Sequence, residues 1–534
     1  MTRYTYTPYP YSKAAELDGG GSGVVPVAIV GAGPVGLAAA IDLALHGIRS
    51  VVLDDNDVVS VGSRAICWSK RSLEIFDRLG VGERMVEKGI TWKVGRLFHG
   101  DNEVYSFDLQ PEPGHKMPAF INLQQYHVEQ YLVERALEFP ELIELRWKNR
   151  VTGIEQNAGA VRLAVDTPDG AYALEARYAI ACDGANSSIR NMMGLDFDGR
   201  AFEEHFLITD IEMEADLPNE RLFWFEPTFH PGQSALLHKQ PDNIYRIDLQ
   251  LGPDADPEEE KKPERVIPRI EAVVGGRPFE IDWVSVYTFQ CRRMQSFVHD
   301  RVIFAGDSAH IVSPFGARGG NGGIQDIDNL AWKLAAVLNG TAAPALLQSY
   351  DEERCHSADE NILHSARSTS FMTPKSNAER RFRDAVLHLA GEMPFARRMV
   401  NSGRLSTACS LTHRGLQRGQ DMATGRLPPG TPCPDAPVET VRSSDDWLLE
   451  HLGGEFRILH QPDGMGSETH LPAKIPALIV GRDLKDREGL LRQRYKLEAG
   501  VTYLVRPDQH IAAAWNRADA GRILDALDQA GGHA

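Results

Sequence analysis

Near its start the chain reads PVAIVGAGPVGLAAAIDLALHGIRSVVLDD (residues 26–55), and this stretch restricts the fold more than any other. An apolar run, a glycine cluster, a helical pattern closed by Gly47 and a second apolar run come in that order. They predict strand, turn, helix and strand. In Gly31-x-Gly33-x-x-Gly36 the first glycine permits the tight turn and the second lets backbone approach a pyrophosphate. The third lets helix and strand pack closely, and the helix N-terminus faces the negative charge. Ala32, Pro34 and Val35 belong to the same cradle. An acid is expected at the end of the second strand, to hold ribose hydroxyls. Asp54 stands there, with Asp55 and Asp57 competing for the role. An acid at this point disfavours the 2′-phosphate of an NADP bound at this site.

Residues 24–41 are uncharged over a length that suggests a membrane span, but they hold two prolines and three glycines, which fit a buried strand, turn and helix better. The opening MTRYTYTPYPYSK lacks the apolar centre of a signal peptide and predicts an extended arm over 1–25. At 534 residues the chain exceeds one ordinary core, so two to four domains are expected. A net charge of -17 argues against nucleic acid and anionic membrane surfaces as partners. The six cysteines form no CxxC and no metal-like cluster, which fits reduced thiols in a cytosol and no metal.

Helical spacing recurs over 124–139 and 324–338. Between them, 160–182 and 205–290 alternate in short apolar runs, as antiparallel strands do. The charged segment 253–264, PDADPEEEKKPE, reads as a solvated loop. Residues 350–425 read as mainly helical. The proline-dense LPPGTPCPDAP at 427–437 marks the entry to a last domain, whose rhythm through 534 is βαβ-like.

Two distant segments add a second layer. YAIACDGANSSIR places Asp183-Gly184 after an apolar strand, with Arg190 beyond. GDSAHIVSPFGARGGNGGIQD (306–326) places Gly306-Asp307 after the strand RVIFA, with five glycines between 316 and 323. Together with GAGPVG, these segments resemble the three fingerprints of the para-hydroxybenzoate hydroxylase family, the single-component FAD-dependent aromatic monooxygenases, in order and spacing across roughly 26–345. Arg64 in GSRAI and the QxxxE pair Gln125 and Glu129 extend the resemblance. The proline-rich entry and last hundred residues are similar to the phenol hydroxylase and 3-(3-hydroxyphenyl)propionate hydroxylase branch.

The resemblance implies an α/β fold. It comprises a Rossmann-type FAD-binding domain (26–200 with 290–350), an inserted mixed β-sheet substrate domain (201–289), a helical segment (351–426) and a thioredoxin-like domain without CxxC (427–534). It implies FAD as cofactor and NADH or NADPH as transient reductant. Through a flavin hydroperoxide, one oxygen atom of O2 would enter a small phenolic substrate. A cytoplasmic homodimer, dimerising through its C-terminal part, completes the expectation.

Asp307 would hold the ribityl chain. The glycines after it would bring backbone N–H groups toward the flavin, at the start of a helix beginning near Ile324. Arg64, Gln125, Val151, Asp183, Gly306, Gly319, Gly320 and Asn321 join the expected cofactor contacts, and the backbone of Pro314 and Phe315 would line the oxygen-transfer site. A phenol needs an acceptor or basic relay at its hydroxyl. Tyr287 and Arg246 are the leading candidates, with His230, His238 and His310 as further options. Arg318 departs from the family pattern; it either binds an anionic substrate group or tunes the flavin, or else points to solvent or pairs with an acid. Three other functions compete: an oxygenase of polyketide-like or terpenoid substrates, a flavoprotein oxidase or dehydrogenase, and a non-catalytic nucleotide-binding scaffold.

Overall fold

The computed structural model describes residues 4–20, 23–62, 64–252, 254–400, 407–412, 416, 426–441, 443, 446–464, 471–517 and 519–532, with the side chains of 200–204 left aside. The parts of the arm, the glycine spacer and the 350–425 helical stretch that fall elsewhere lie outside the described residues.

The expected strand–turn–helix–strand is Val25–Val30, Pro34–Leu45 and Ser50–Leu53, with Gly47 left-handed just past the helix. These strands sit centrally in a sheet where Val302–Phe304, Gly170–Ala181, Val25–Val30, Ser50–Leu53 and Ile143–Arg146 run parallel. Strand register sets where the connecting loops meet. Val30 pairs with Leu53 and with Ala181, and Ala181 pairs with Phe304. The loops leaving these strands therefore emerge at one carboxyl edge, although their residues lie up to 274 positions apart in sequence (Phe304 against Val30).

A second, mainly antiparallel sheet includes Asp198–Glu212, Arg221–Phe225, Ser234–Lys239, Ile244–Leu251 and Glu280–Arg293. It is wider than the 201–289 expected, because Val94–His99 pairs in parallel with Arg221–Phe225 and brings Asn102–Asp108 with it. The expected loop at 253–264 is instead a turn of helix, Pro257–Glu260, and then the start of Pro263–Val274. Each has proline in its first turn, where a missing N–H costs nothing, and Asp256 caps the first by accepting from Glu258 and Glu259 N–H. Val266, Ile270 and Val274 bury one face against the sheet.

Helices Leu346–Met372, Asn377–Glu392 and Pro394–Val400 come next. The last hundred residues form a separate four-stranded sheet ordered Ala477–Ile479, Arg457–His460, Thr502–Val505, Ile511–Trp515, with helix Ala520–Ala530 behind it. The N-terminal arm packs on the body. Tyr9 stacks on Trp147 at 4.6 Å between ring centroids, Tyr4 packs on Tyr126, and Tyr4 donates its hydroxyl to Gln130.

Candidate active site

A cavity of about 930 Å³ runs from the carboxyl edge of the parallel sheet to the face of the antiparallel sheet, at the upper end of the range for ligand sites. Its first wall is the glycine turn. A Cβ on Gly31 would lie 2.5 Å from the Cys182 carbonyl oxygen, and one on Gly36 would lie 2.0 Å from the Gly31 carbonyl oxygen. These two glycines are fixed by protein packing. Gly33 differs: its φ is negative and no atom lies within 4 Å of a Cβ there, so a side chain would project into the space that Ala32, Gly33, Pro34 and Val35 line. Asp54 closes this end, with Oδ2 accepting from Ala32 N–H at 2.6 Å and Oδ1 from Asn56 N–H. Burial pushes its carboxyl up, and those N–H groups oppose the shift. Asp55 also lines the cavity, whereas Asp57 turns away to Lys148.

Arg64, Gln125, Val151 and Asp183 all lie on the wall. Gln125 accepts from Ala65 N–H and donates to Glu129, which in turn binds Ser60 through both carboxylate oxygens. This network fixes the loop that carries Arg64. Asp183 faces inward, but its carboxylate is largely spent on Ser187, Ser188 and the Ile189 N–H of its own loop. Arg190 joins that loop to the next by donating to the Ser308 and Ala185 carbonyls.

The glycine-rich segment divides its labour. The helix begins at Gly319, not near Ile324, so four of the glycines lie in its first turns. Gly316 is left-handed at φ 103°, which only glycine adopts freely. Gly319 and Gly320 line the cavity. Gly322 and Gly323 do not: a Cβ on Gly323 would meet Val35 Cγ2 at 2.7 Å, and one on Gly322 would meet His310 at 3.2 Å. These two let the helix approach the first glycine motif.

Several expected contacts are corrected by the packing. Gly306 lies beneath the wall, donating its N–H to Asp326 and packing on Val35. His310 is buried away from the cavity, bound to Asp326 at 2.7 Å. His230 is held by the Gln250 carbonyl, also off the wall. Asn321 lines the cavity, yet its amide is used up: Oδ1 accepts from Ser69 N–H and Oγ–H, and Nδ2 donates to the Cys67 and Ala317 carbonyls. It positions the Cys67–Ser69 strand. Arg318 lines the cavity, buried, and donates to Asn361. Asp307 lines the cavity with an exposed side chain; desolvation by the surrounding wall pushes its carboxyl up, and His310 and Arg64 oppose that shift.

The far wall comes from the antiparallel sheet, whose alternate residues face inward. Phe206, Phe289 and Phe315 form an aromatic slab, with centroids 4.6–5.2 Å apart. Pro314 and Tyr287 adjoin it, and no hydrogen bond engages the Tyr287 hydroxyl among the described residues. Arg246 lines the cavity but is bound bidentately by Asp210. The sequence reading missed Asp248, two residues from Arg246 on the same strand face; the period-2 spacing in YRIDLQL was the available signal. Arg221, opening an aromatic strand, gave no signal of its own. The fold also draws His356, Glu360 and Cys409 together with ligand atoms within 4.8 Å, a grouping that spacing did not suggest.

Comparison with known proteins agrees with this geometry. Residues 24–365 match the family described as FAD binding domain. A 3-(3-hydroxy-phenyl)propionate/3-hydroxycinnamic acid hydroxylase of Mycolicibacterium smegmatis is 27% identical over 518 residues, covering 92% of this chain and 91% of that one. A probable NADH-specific resorcinol 4-hydroxylase of Rhodococcus jostii is 33% identical over 352 residues, 64% of each chain. Among solved structures, the flavin-dependent monooxygenase PieE in complex with FAD and substrate superposes with a TM-score of 0.79 at 21% identity, over 96% of this chain and 98% of that one.

Proposed function

The chain belongs to the FAD binding domain family, and we propose that it is an NAD(P)H-dependent monooxygenase that hydroxylates a small phenolic compound. The observation that carries this reading is the joining of two half-sites in one cavity: a nucleotide cradle built from Gly33, Asp54 and Asp307, and an aromatic slab of Phe206, Phe289 and Phe315 beside a tyrosine hydroxyl that no hydrogen bond engages among the described residues. The names of the two curated relatives supply the substrate class.

FAD fits the cradle: the space beyond Gly33 is where a side chain would otherwise stand, and the carboxylates of Asp54 and Asp307 suit hydroxyl groups. Held there by Gly33, Asp54 and Asp307, FAD would supply the redox and oxygen-activating chemistry that the side chains lack. The N-terminus of helix Pro34–Leu45 and that of Gly319–Leu338 direct backbone N–H groups at the cofactor's negative charge. The phenylalanine slab holds the substrate ring and excludes water. The Tyr287 hydroxyl accepts or relays the phenol proton, and Arg246, neutralised by Asp210, keeps that corner polar without adding net charge.

The order of the C-terminal sheet, with one parallel and two antiparallel neighbours, supports the thioredoxin-like assignment in a structural role. The exposed Phe382, Leu389, Phe395 and Met399 on the 377–400 helices support a homodimer that covers this face. Free thiols at all six cysteines support a reducing, intracellular setting, and no helix among the described residues is long and apolar enough to cross a membrane.

The test is NADH and NADPH consumption by the purified yellow protein across resorcinol, hydroxybenzoates and hydroxyphenylpropionates, with product masses read in parallel. Stimulated consumption with gain of one oxygen atom supports the reading. Peroxide without product across the whole panel overturns it.

A further inference from the structure

Helix Leu346–Met372 carries two metal-ligand side chains on one face. His356 and Glu360 lie four residues apart, so they project from the same side of the helix. Cys409, in the segment 407–412, meets that face. The imidazole nitrogen, the carboxylate oxygen and Sγ all lie within 4.8 Å of one another. His356 and Glu360 are half-buried, and Cys409 is almost covered. Among the described residues no hydrogen bond or ion pair engages the His356 imidazole. The Cys409 thiol faces the Glu360 carboxylate and Ser357, and reaches the Ser410 carbonyl of its own segment at 3.5 Å.

Sulfur, imidazole nitrogen and carboxylate oxygen together are a donor set for a borderline ion such as Zn2+. Mg2+ and Ca2+ take oxygen ligands instead. Metal–ligand bonds of about 2.0–2.3 Å put the donors of a tetrahedral site roughly 3.3–3.8 Å apart. Donors already within 4.8 Å reach that spacing by side-chain rotation. A thiolate and a carboxylate offset the charge of a divalent ion, and neutral imidazole adds none. Arg354, the cation that the thiol senses, is matched by Asp326 and so does not repel the ion. The site also joins distant parts of the chain. Just before His356, Glu353 and Arg354 hold helix Gly319–Leu338 through Lys333 and Asp326. Just after Cys409, the buried Leu411 donates its N–H to Gly430, whose own N–H donates to Ile511 of the C-terminal sheet.

We propose that His356, Glu360 and Cys409 bind one Zn2+-class ion, with water as the fourth ligand, and that the ion clips the 407–412 segment to helix Leu346–Met372. On binding, the Cys409 S–H bond breaks, a sulfur–metal bond forms and the proton passes to solvent, with no oxidant or reductant involved. None of the three residues lines the cofactor cavity, so the inference stands apart from the phenol hydroxylase reading.

The experiment takes the FAD-loaded full chain, strips it of metal with a chelator and titrates it with Co2+. Bound tetrahedrally, Co2+ absorbs at longer wavelength than the flavin, and Zn2+ displaces it. The expected result is one Co2+ per chain with tetrahedral bands, release of a proton, and a melting temperature that rises when Zn2+ replaces Co2+ at saturation. Cys409→Ser should lose the bands, and His356→Ala and Glu360→Gln should each bind Co2+ at least ~10-fold more weakly. The Zn2+-dependent rise in melting temperature should vanish with them. A wild type that shows no bands, or only the pale bands of octahedral Co2+, overturns the proposal. Bands unchanged in Cys409→Ser or His356→Ala also overturn it, because the ion then sits at another thiol. Should Cys409→Ser not fold, His356→Ala and Glu360→Gln decide.

Discussion

Asp210 and Arg246 sit directly opposite one another on adjacent antiparallel strands, and their side chains close a bidentate ion pair at 2.8 and 2.7 Å. Both are nearly inaccessible, at 2% and 3% exposure. The register makes the pair, and the pair removes Arg246 from the set of cations available to substrate.

Breaking that pair leaves one buried charge uncompensated. Asp210→Asn is expected to lower stability by roughly 3–5 kcal/mol. Thermal unfolding of the FAD-loaded protein checks this, and a loss below ~1 kcal/mol would show the pair to be solvent-relaxed.

Gly33 and Gly36 should fail differently. Gly33→Val keeps the fold and reduces FAD retention at least ~10-fold, because the new side chain enters ligand space. Gly36→Val drives atoms into the Gly31 carbonyl and lowers stability as well. Flavin absorbance per protein and melting temperature, measured together, separate the two outcomes.

Tyr287→Phe removes the unengaged hydroxyl but keeps the ring. Turnover is expected to fall by roughly 10²-fold, the low end for a lost acid–base group, with substrate affinity changed little. A wild-type kcat would remove Tyr287 from the chemistry.

Asp248 gives a pH signature. Burial raises its carboxyl from 3.8 to about 6, so between those values the folded state holds a proton that the unfolded state has released. Stability from this group therefore falls as pH rises from about 4 to 6 and is level above, a loss of about 3 kcal/mol at most. His238, held neutral by burial, acts in the opposite sense below its ordinary value. The difference between wild type and Asp248→Asn isolates the aspartate: the wild type should lose ground to the variant across that window. Parallel stability–pH curves would contradict it.

Arg506 ties the last domain to the cofactor helix. It is fully buried, binding Glu353 and Asp508, while Glu353 also receives Lys333 and Asn329 from helix Gly319–Leu338. Arg506→Met should cost roughly 3–5 kcal/mol and loosen FAD, as read by flavin release on heating. Unchanged release would confine the network to domain docking.

The nucleotide half of this protein is legible in its residues because its geometry is local. At Gly36 and the helix start that follows Gly33, a turn and a close approach to the Gly31 carbonyl depend on neighbours within a few positions, so composition and spacing carry the information. The far wall is another matter. Whether Arg246 is spent on Asp210 and Arg221 is left open depends on which strands pair and in what register, and side chains brought together across the chain leave no periodic mark. The same holds for His310 and Gly306, which stand beside cofactor motifs in sequence but turn toward Asp326 because the helix carrying it packs beneath the wall. Local backbone chemistry was readable from residue order; the direction in which each polar side chain spends its hydrogen bonds was settled by long-range packing.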